Sequence, residues 1–169
     1  MKSLLHNKAQ EIIARAQKMN VTLATAESCT GGMVSAILTE VPGASSVFDR
    51  GFITYSNQSK MEMLGVSDET LVKYGAVSAQ TACEMALGVL KNSKVDCAVS
   101  ITGIAGPGGG TIEKPVGLVF FGYVKRNEPV KFLEKRFERD SREIIRLDAT
   151  KQALDLLYLD RKSTRLNSS

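Results

Sequence analysis

The residues able to do chemistry cluster in three short stretches and at one helix start. Ser28 follows the apolar run 21–26 and precedes a helical pattern over 31–40, so it sits between a strand end and a helix start. Unpaired backbone N–H groups and the helix dipole favour a developing negative charge there. A serine attacking a carbonyl could find its oxyanion donors in the amides of Thr30 and Gly31. Serine and threonine are also preferred helix caps, and position alone leaves capping by Ser28 or Thr30 open beside catalysis. Cys29 is a competing nucleophile that would need the dipole or a lysine to form a thiolate.

A serine hydroxyl needs a base. The only histidine, His6, falls in the first helical pattern, so a Ser-His-Asp triad is hard to build. The second stretch, after a run at 51–55, supplies the alternatives: Tyr55 as a proton relay, or Lys60 with a lowered pKa. Lys60 qualifies only if buried, because a free lysine, with a pKa of ~10.4, is almost wholly protonated at neutral pH. A solvated surface charge is its other reading. The third stretch runs from Thr102 and Gly103 through Gly106, Pro107, Gly108, Gly109 and Gly110. Its glycines let backbone approach a ligand and expose N–H groups to anions, although neither the phosphate-loop nor the dinucleotide spacing is present. Arg142 and Arg146 lie four apart at the start of the last helical pattern and share a face. They could clamp a phosphate or pair with Glu143 and Asp148 on the surface.

These groups need elements to hold them. Residues 3–18 carry Leu5, Ala9, Ile12, Ile13 and Ala16 at the helical period. Strands are expected at 21–26, 51–55 and 96–101, and a strand pair at 116–124 and 130–137. Phe132 and Phe137 break a strict alternation in the last of these, which marks a bulge or an edge. Helices are expected at 31–40 and 57–64, from Ser67, from Ser78 as cap with Ala82, Met85, Ala86, Val89 and Leu90 inside, and at 141–158 with Ile145, Ala149, Ala153, Leu156 and Leu157 inside. Asp140 and Glu143 suit the start of the last helix. The fold expected is α/β, a three-layer sandwich with a mixed, mostly parallel central sheet and helices on both faces.

At 169 residues the chain is long enough for one core, and a single domain over 1–160 is expected. Three cysteines, Cys29, Cys83 and Cys97, show neither disulfide nor zinc spacing, so no metal or cofactor is expected and the compartment reads as reducing. The net charge of +4 owes three units to Arg161, Lys162 and Arg165; without them 19 basic face 18 acidic residues. A near-neutral body argues against nucleic acid as partner. The terminal RKSTRLNSS reads as a disordered or non-native tail over 161–169. No segment is apolar enough to span a bilayer and the start carries no secretory pattern, so a cytoplasmic location is expected.

The strings TAESCTGG at 25–32, RGFITYSNQSK at 50–60, YGAVS at 74–78, SITGIAGPGGG at 100–110 and EKPVG at 113–117 resemble the CinA C-terminal domain family. Members of that family act as nicotinamide mononucleotide deamidases. The resemblance implies a serine amidase in pyridine nucleotide salvage, in which Ser28 attacks, Tyr55 and Lys60 assist, and Thr102 and Gly103 line the pocket. Arg142 and Arg146 match the family's arginines in the last helix and would hold the substrate phosphate with glycine-loop amides. It further implies a homodimer. Many relatives carry an added N-terminal domain similar to molybdopterin-cofactor enzymes; this chain reads as the stand-alone form. Two rival readings remain: a nucleotide-binding module without catalysis, and a competence- or DNA-damage-associated accessory protein.

Overall fold

The computed structural model describes residues 2–158; the expectation of a tail at 161–169 lies outside the described residues. Five strands form one sheet: β1 (Leu23–Glu27), β2 (Phe48–Ile53), β3 (Cys97–Gly103), β4 (Leu118–Lys125) and β5 (Lys131–Arg136), in the order β2-β1-β3-β4-β5. Six α-helices cover it: α1 (Lys2–Met19), α2 (Met33–Thr39), α3 (Asn57–Leu64), α4 (Asp68–Tyr74), α5 (Ala79–Lys91) and α6 (Arg142–Leu157). A short 3₁₀ turn at Ala44–Ser46, which the sequence pattern does not signal, precedes β2.

Side-chain alternation along the strands divides the core in two. Leu23, Val99, Ile101, Val119 and Phe121 face α1, α2 and α6, where Ile12, Ile13, Val34, Leu38, Ile145 and Leu154 complete one apolar layer. Ala24, Ala26, Ala98 and Val124 face the other way, onto Leu64 of α3 and Met85, Ala86 and Val89 of α5. The three-layer expectation therefore holds. The mixed sheet is as expected: β1–β2 and β1–β3 are parallel, whereas β3–β4 and β4–β5 are antiparallel. Four strands still point one way, with β4 reversed, because a tight turn at 126–129 can join only antiparallel neighbours. β5 is an edge strand in unbroken register with β4, so exposure of Phe132 reflects the edge and not a bulge.

Several boundaries move, and some matter for the site. β1 runs one residue further than expected and takes in Glu27, while β3 runs to Gly103, so Thr102 and Gly103 are strand and not loop. α2 begins only at Met33, because Gly31 and Gly32 take left-handed φ values of 57° and 107° that end any helix there. Ser67 and Ser78 cap α4 and α5 as their positions suggest, and Ser141, rather than the neighbouring acids, caps α6.

Candidate active site

β1 lies between β2 and β3; the connection from β1 to β2 runs through α2 on one face of the sheet, and that from β2 to β3 runs through α3 and α5 on the other. Where connections part in this way, an open α/β sheet leaves a crevice at its carboxyl edge. Both ladders continue one bond past β1: the Thr54 amide donates to the Glu27 carbonyl (2.8 Å) and the Ser28 amide to the Ile101 carbonyl (2.9 Å). Ser28 thus leaves the sheet with its backbone held on both sides.

Lys60 reaches this serine from α3. Ser56 caps the helix, accepting from the Ser59 amide while the Ser59 hydroxyl accepts from the Ser56 amide, so the first turn is fixed at both ends. Lys60 follows the capping box, and helical side chains lean toward the N-terminus. Its Nζ accordingly comes back to the Thr54 carbonyl (2.8 Å), the Tyr55 carbonyl (3.4 Å) and Ser28 Oγ (3.0 Å). The lysine is 1% exposed, the largest fully buried side chain described. Burial pushes its pKa down from 10.5 to about 8, because the charged ammonium loses its hydration.

The rest of the 28–32 loop is arranged by a residue outside the expected site. Glu27 is completely buried, and its carboxylate accepts from the Thr30 hydroxyl (2.7 Å), the amides of Gly32, Val34 and Ser35 (3.1, 3.0 and 3.0 Å) and the Ser35 hydroxyl (2.8 Å). The capping reading of Ser28 and Thr30 is thereby corrected. The first amides of α2 are capped from β1 by Glu27, and the N-cap position itself belongs to Gly32. Those amides, spent on a carboxylate, do not serve an oxyanion. The Gly31 amide is also spent, donating to the Ser28 carbonyl at 3.0 Å. Among the described residues the amides of Cys29 and Thr30 meet no backbone acceptor. Strand parity is the available signal for Glu27: Leu23, Thr25 and Glu27 share a face, so the acid has to point inward at the start of the next helix.

Cys29 falls behind Ser28 as a nucleophile. It is buried, and loss of hydration pushes its thiol up to about 12, with Arg146 and Lys60 only partly opposing this. At neutral pH it stays protonated and poorly nucleophilic.

A cavity of about 320 Å³ opens over Ser28 and Lys60, within the range of small-molecule sites. Its lining includes Tyr55, Asn57, Thr102, Gly103, Gly108, Gly109 and Arg142. The strand-end residues Thr102 and Gly103 therefore line the pocket, and the Thr102 hydroxyl also donates to the Ala76 carbonyl (2.8 Å), tying in the Ala76–Val77 wall. Lys114 Nζ reaches the Tyr74 carbonyl and closes the same wall from the glycine-rich side. A larger cleft of about 540 Å³ lies by Asp49, Arg50, Lys91 and Lys94, but both of its lysines are exposed. No buried serine–lysine pair stands there.

Two expected members of the site are placed differently. The Tyr55 side chain is 65% exposed, and its hydroxyl accepts from Arg142 (3.1 Å) instead of meeting Ser28 or Lys60. It flanks the pocket and is not wired into a proton relay. Arg142 also donates to the Gly106 carbonyl (2.7 Å), which leaves most of its five N–H groups for a ligand. Arg146 points elsewhere. Its Nε donates to the Cys29 carbonyl (3.0 Å) and one terminal nitrogen to the Thr30 carbonyl (3.3 Å), and it does not line the cavity. Thr30 and Gly31 likewise belong to the support beneath Ser28 and not to the cavity wall. Among the described residues no group of three His, Cys, Asp or Glu side chains could hold a metal ion, and no helix is long and apolar enough to cross a membrane.

A family profile described as the CinA C-terminal domain matches residues 5–160. A nicotinamide-nucleotide amidohydrolase of Enterobacter agglomerans is 50% identical over 145 residues, 86% of this chain and 88% of that protein. A competence-damage inducible protein of Acetivibrio thermocellus is 65% identical over 101 residues, 60% of this chain but only 24% of that longer protein. Among solved structures, the competence/damage inducible protein CihA from Agrobacterium tumefaciens superposes with a TM-score of 0.88 at 48% identity, covering 90% of this chain and 93% of that one.

Proposed function

Because the chain belongs to the CinA C-terminal domain family, we propose that the buried Ser28–Lys60 pair makes it a nicotinamide-nucleotide amidase, releasing ammonia from nicotinamide mononucleotide through an acyl-enzyme. The observation that carries this is the 3.0 Å contact between Lys60 Nζ and Ser28 Oγ, both buried at the floor of the cavity. A neutral amine has two N–H groups and one lone pair. With both N–H groups on the Thr54 and Tyr55 carbonyls, the lone pair is left for the serine proton.

Ser28 Oγ attacks the carboxamide carbon as Lys60 takes its proton, and the amide of Cys29, which lines the cavity, stabilises the oxyanion. Lys60 then returns the proton to the departing nitrogen, and ammonia leaves. Water, deprotonated by the same amine, attacks the acyl carbon and restores Ser28, releasing nicotinic acid mononucleotide. With the pKa at about 8, about a tenth of the enzyme holds the neutral amine at pH 7, and the fraction rises tenfold by alkaline pH.

Arg142 and the amides of Gly108 and Gly109, which meet no protein acceptor among the described residues, support a phosphate site at the other end of the cavity. Binding energy from the phosphate would then place the reacting amide. From the family the reading also carries a cytoplasmic homodimer in pyridine nucleotide salvage, acting without metal or cofactor.

The test is ammonia release from nicotinamide mononucleotide, nicotinamide riboside, nicotinamide and the dinucleotide. The mononucleotide should be the best substrate, and Ser28→Ala should lose roughly 10⁴-fold or more in turnover while still binding it. Ammonia release retained by Ser28→Ala would remove the serine from its role. A wild-type chain that binds the mononucleotide and releases none would leave a nucleotide-binding module in place of an enzyme.

A further inference from the structure

We infer that Arg146, acting with Glu27, is a positioning residue that holds the nucleophile loop in its reactive shape, and that it does not contact the substrate phosphate. This rests on the amidase reading above. Arg146 and Glu27 grip the 28–32 loop by complementary groups and meet at Thr30. The guanidinium takes the carbonyls of Cys29 and Thr30 (3.0 and 3.3 Å), and the carboxylate takes the Thr30 hydroxyl and the Gly32 amide (2.7 and 3.1 Å).

Peptide planarity makes these contacts directional. In a trans peptide the C=O and the following N–H point in opposite directions. Drawing the Cys29 carbonyl to α6 therefore turns the Thr30 amide away from α6. Drawing the Thr30 carbonyl the same way turns the Gly31 amide back, and it meets the Ser28 carbonyl at 3.0 Å. One guanidinium thus sets two successive peptide planes beside Ser28. Gly31 fits the arrangement: its φ is 57°, and a Cβ there would stand 3.4 Å from the Arg146 terminal nitrogen. Arg142, one turn earlier on α6, is the arginine that lines the cavity.

The two arginines are separable by kinetics on the full chain, using nicotinamide mononucleotide as substrate and its acid product as inhibitor. Arg146→Gln should lower kcat by about 100-fold, the scale expected when reacting groups are displaced by about 1 Å, with the product inhibition constant changed less than about twofold. Arg146→Lys, which restores one charged donor to the carbonyls, should recover about a tenth of wild-type kcat. Glu27→Gln should follow the Arg146→Gln pattern, since its amide would place N–H donors against N–H donors. Arg142→Gln should instead weaken product binding by about tenfold or more. If Arg146→Gln fails to fold, Arg146→Lys carries the comparison alone. A raised product inhibition constant in either Arg146 variant, or an unchanged kcat, overturns the inference while leaving the amidase reading intact. A wild-type chain without mononucleotide turnover overturns both.

Discussion

Lys60 in an unfolded chain titrates near ~10.4, and in the fold at about 8. Between those values the unfolded state binds more protons than the folded one, so stability rises with pH across about 8 to 10.4. Below pH 8 the burial penalty is fully present, and it amounts to about 3 kcal/mol for a shift of this size. Lys60→Met has no such term. Urea unfolding of both proteins at pH 7 and pH 10.5 should show wild type gaining about 3 kcal/mol relative to the variant on going alkaline; a difference independent of pH would mean that the amine stays hydrated in the fold. At this scale the sequence offers Ser28 and Lys60 only as candidates, beside a capping serine, a surface lysine and a relay through Tyr55, and it is the family resemblance that joins them. Glu27 is readable only through strand parity, and the direction of Arg146 not at all. Both depend on which way a side chain points, and for Arg146 that is decided by α6 packing under the 28–32 loop, a long-range contact that no local pattern carries.

Lys60 is only as well placed as α3, and α3 rests on α5. A Cβ at Gly88, in the middle of α5, would stand 2.1 Å from the Leu64 carbonyl oxygen, so the two helices cross at a distance only glycine permits. Gly88→Ala must push α3 outward, because the clash is with backbone that cannot rotate away. It should cost about 1–3 kcal/mol of stability and, by drawing the amine from Ser28, about 100-fold in kcat. Gly65→Ala is the control. Gly65 ends α3 with φ of 70° and nothing within 4 Å of an added Cβ, so that variant should lose about 1 kcal/mol from backbone strain and keep its turnover. Parallel losses of kcat in both variants would show that α3 is not held by its seat on α5. Element types are readable because the helices carry clear apolar stripes and serine caps. Their junctions are less so: the helical pattern takes in Gly31 and Gly32, whose left-handed backbone delays the helix start, and the glycines after Ile101 suggest loop at Thr102 and Gly103, where pairing with Phe120 and Val119 keeps them in β3.

For the whole molecule, the alternation of strands and helices points to a sheet between two helical layers, but the strand order is not written in any local pattern. It matters because β1 is central: only there can Ser28 have the β2-to-α3 connection on one side and the β3 end on the other. Residues 28, 60 and 102, far apart in the chain, meet at that edge. The near-neutral body and the 320 Å³ cavity both suit a small anionic ligand better than a nucleic acid. If this assembly turns a buried lysine into the base for a serine, the pH dependence of kcat/KM for ammonia release from nicotinamide mononucleotide must follow the titration of Lys60. The rate constant should climb tenfold per pH unit on the acid side, bend near pH 8 and level off above it. A profile flat from pH 6 to about 9, or an acid limb that survives in Lys60→Met, would contradict it.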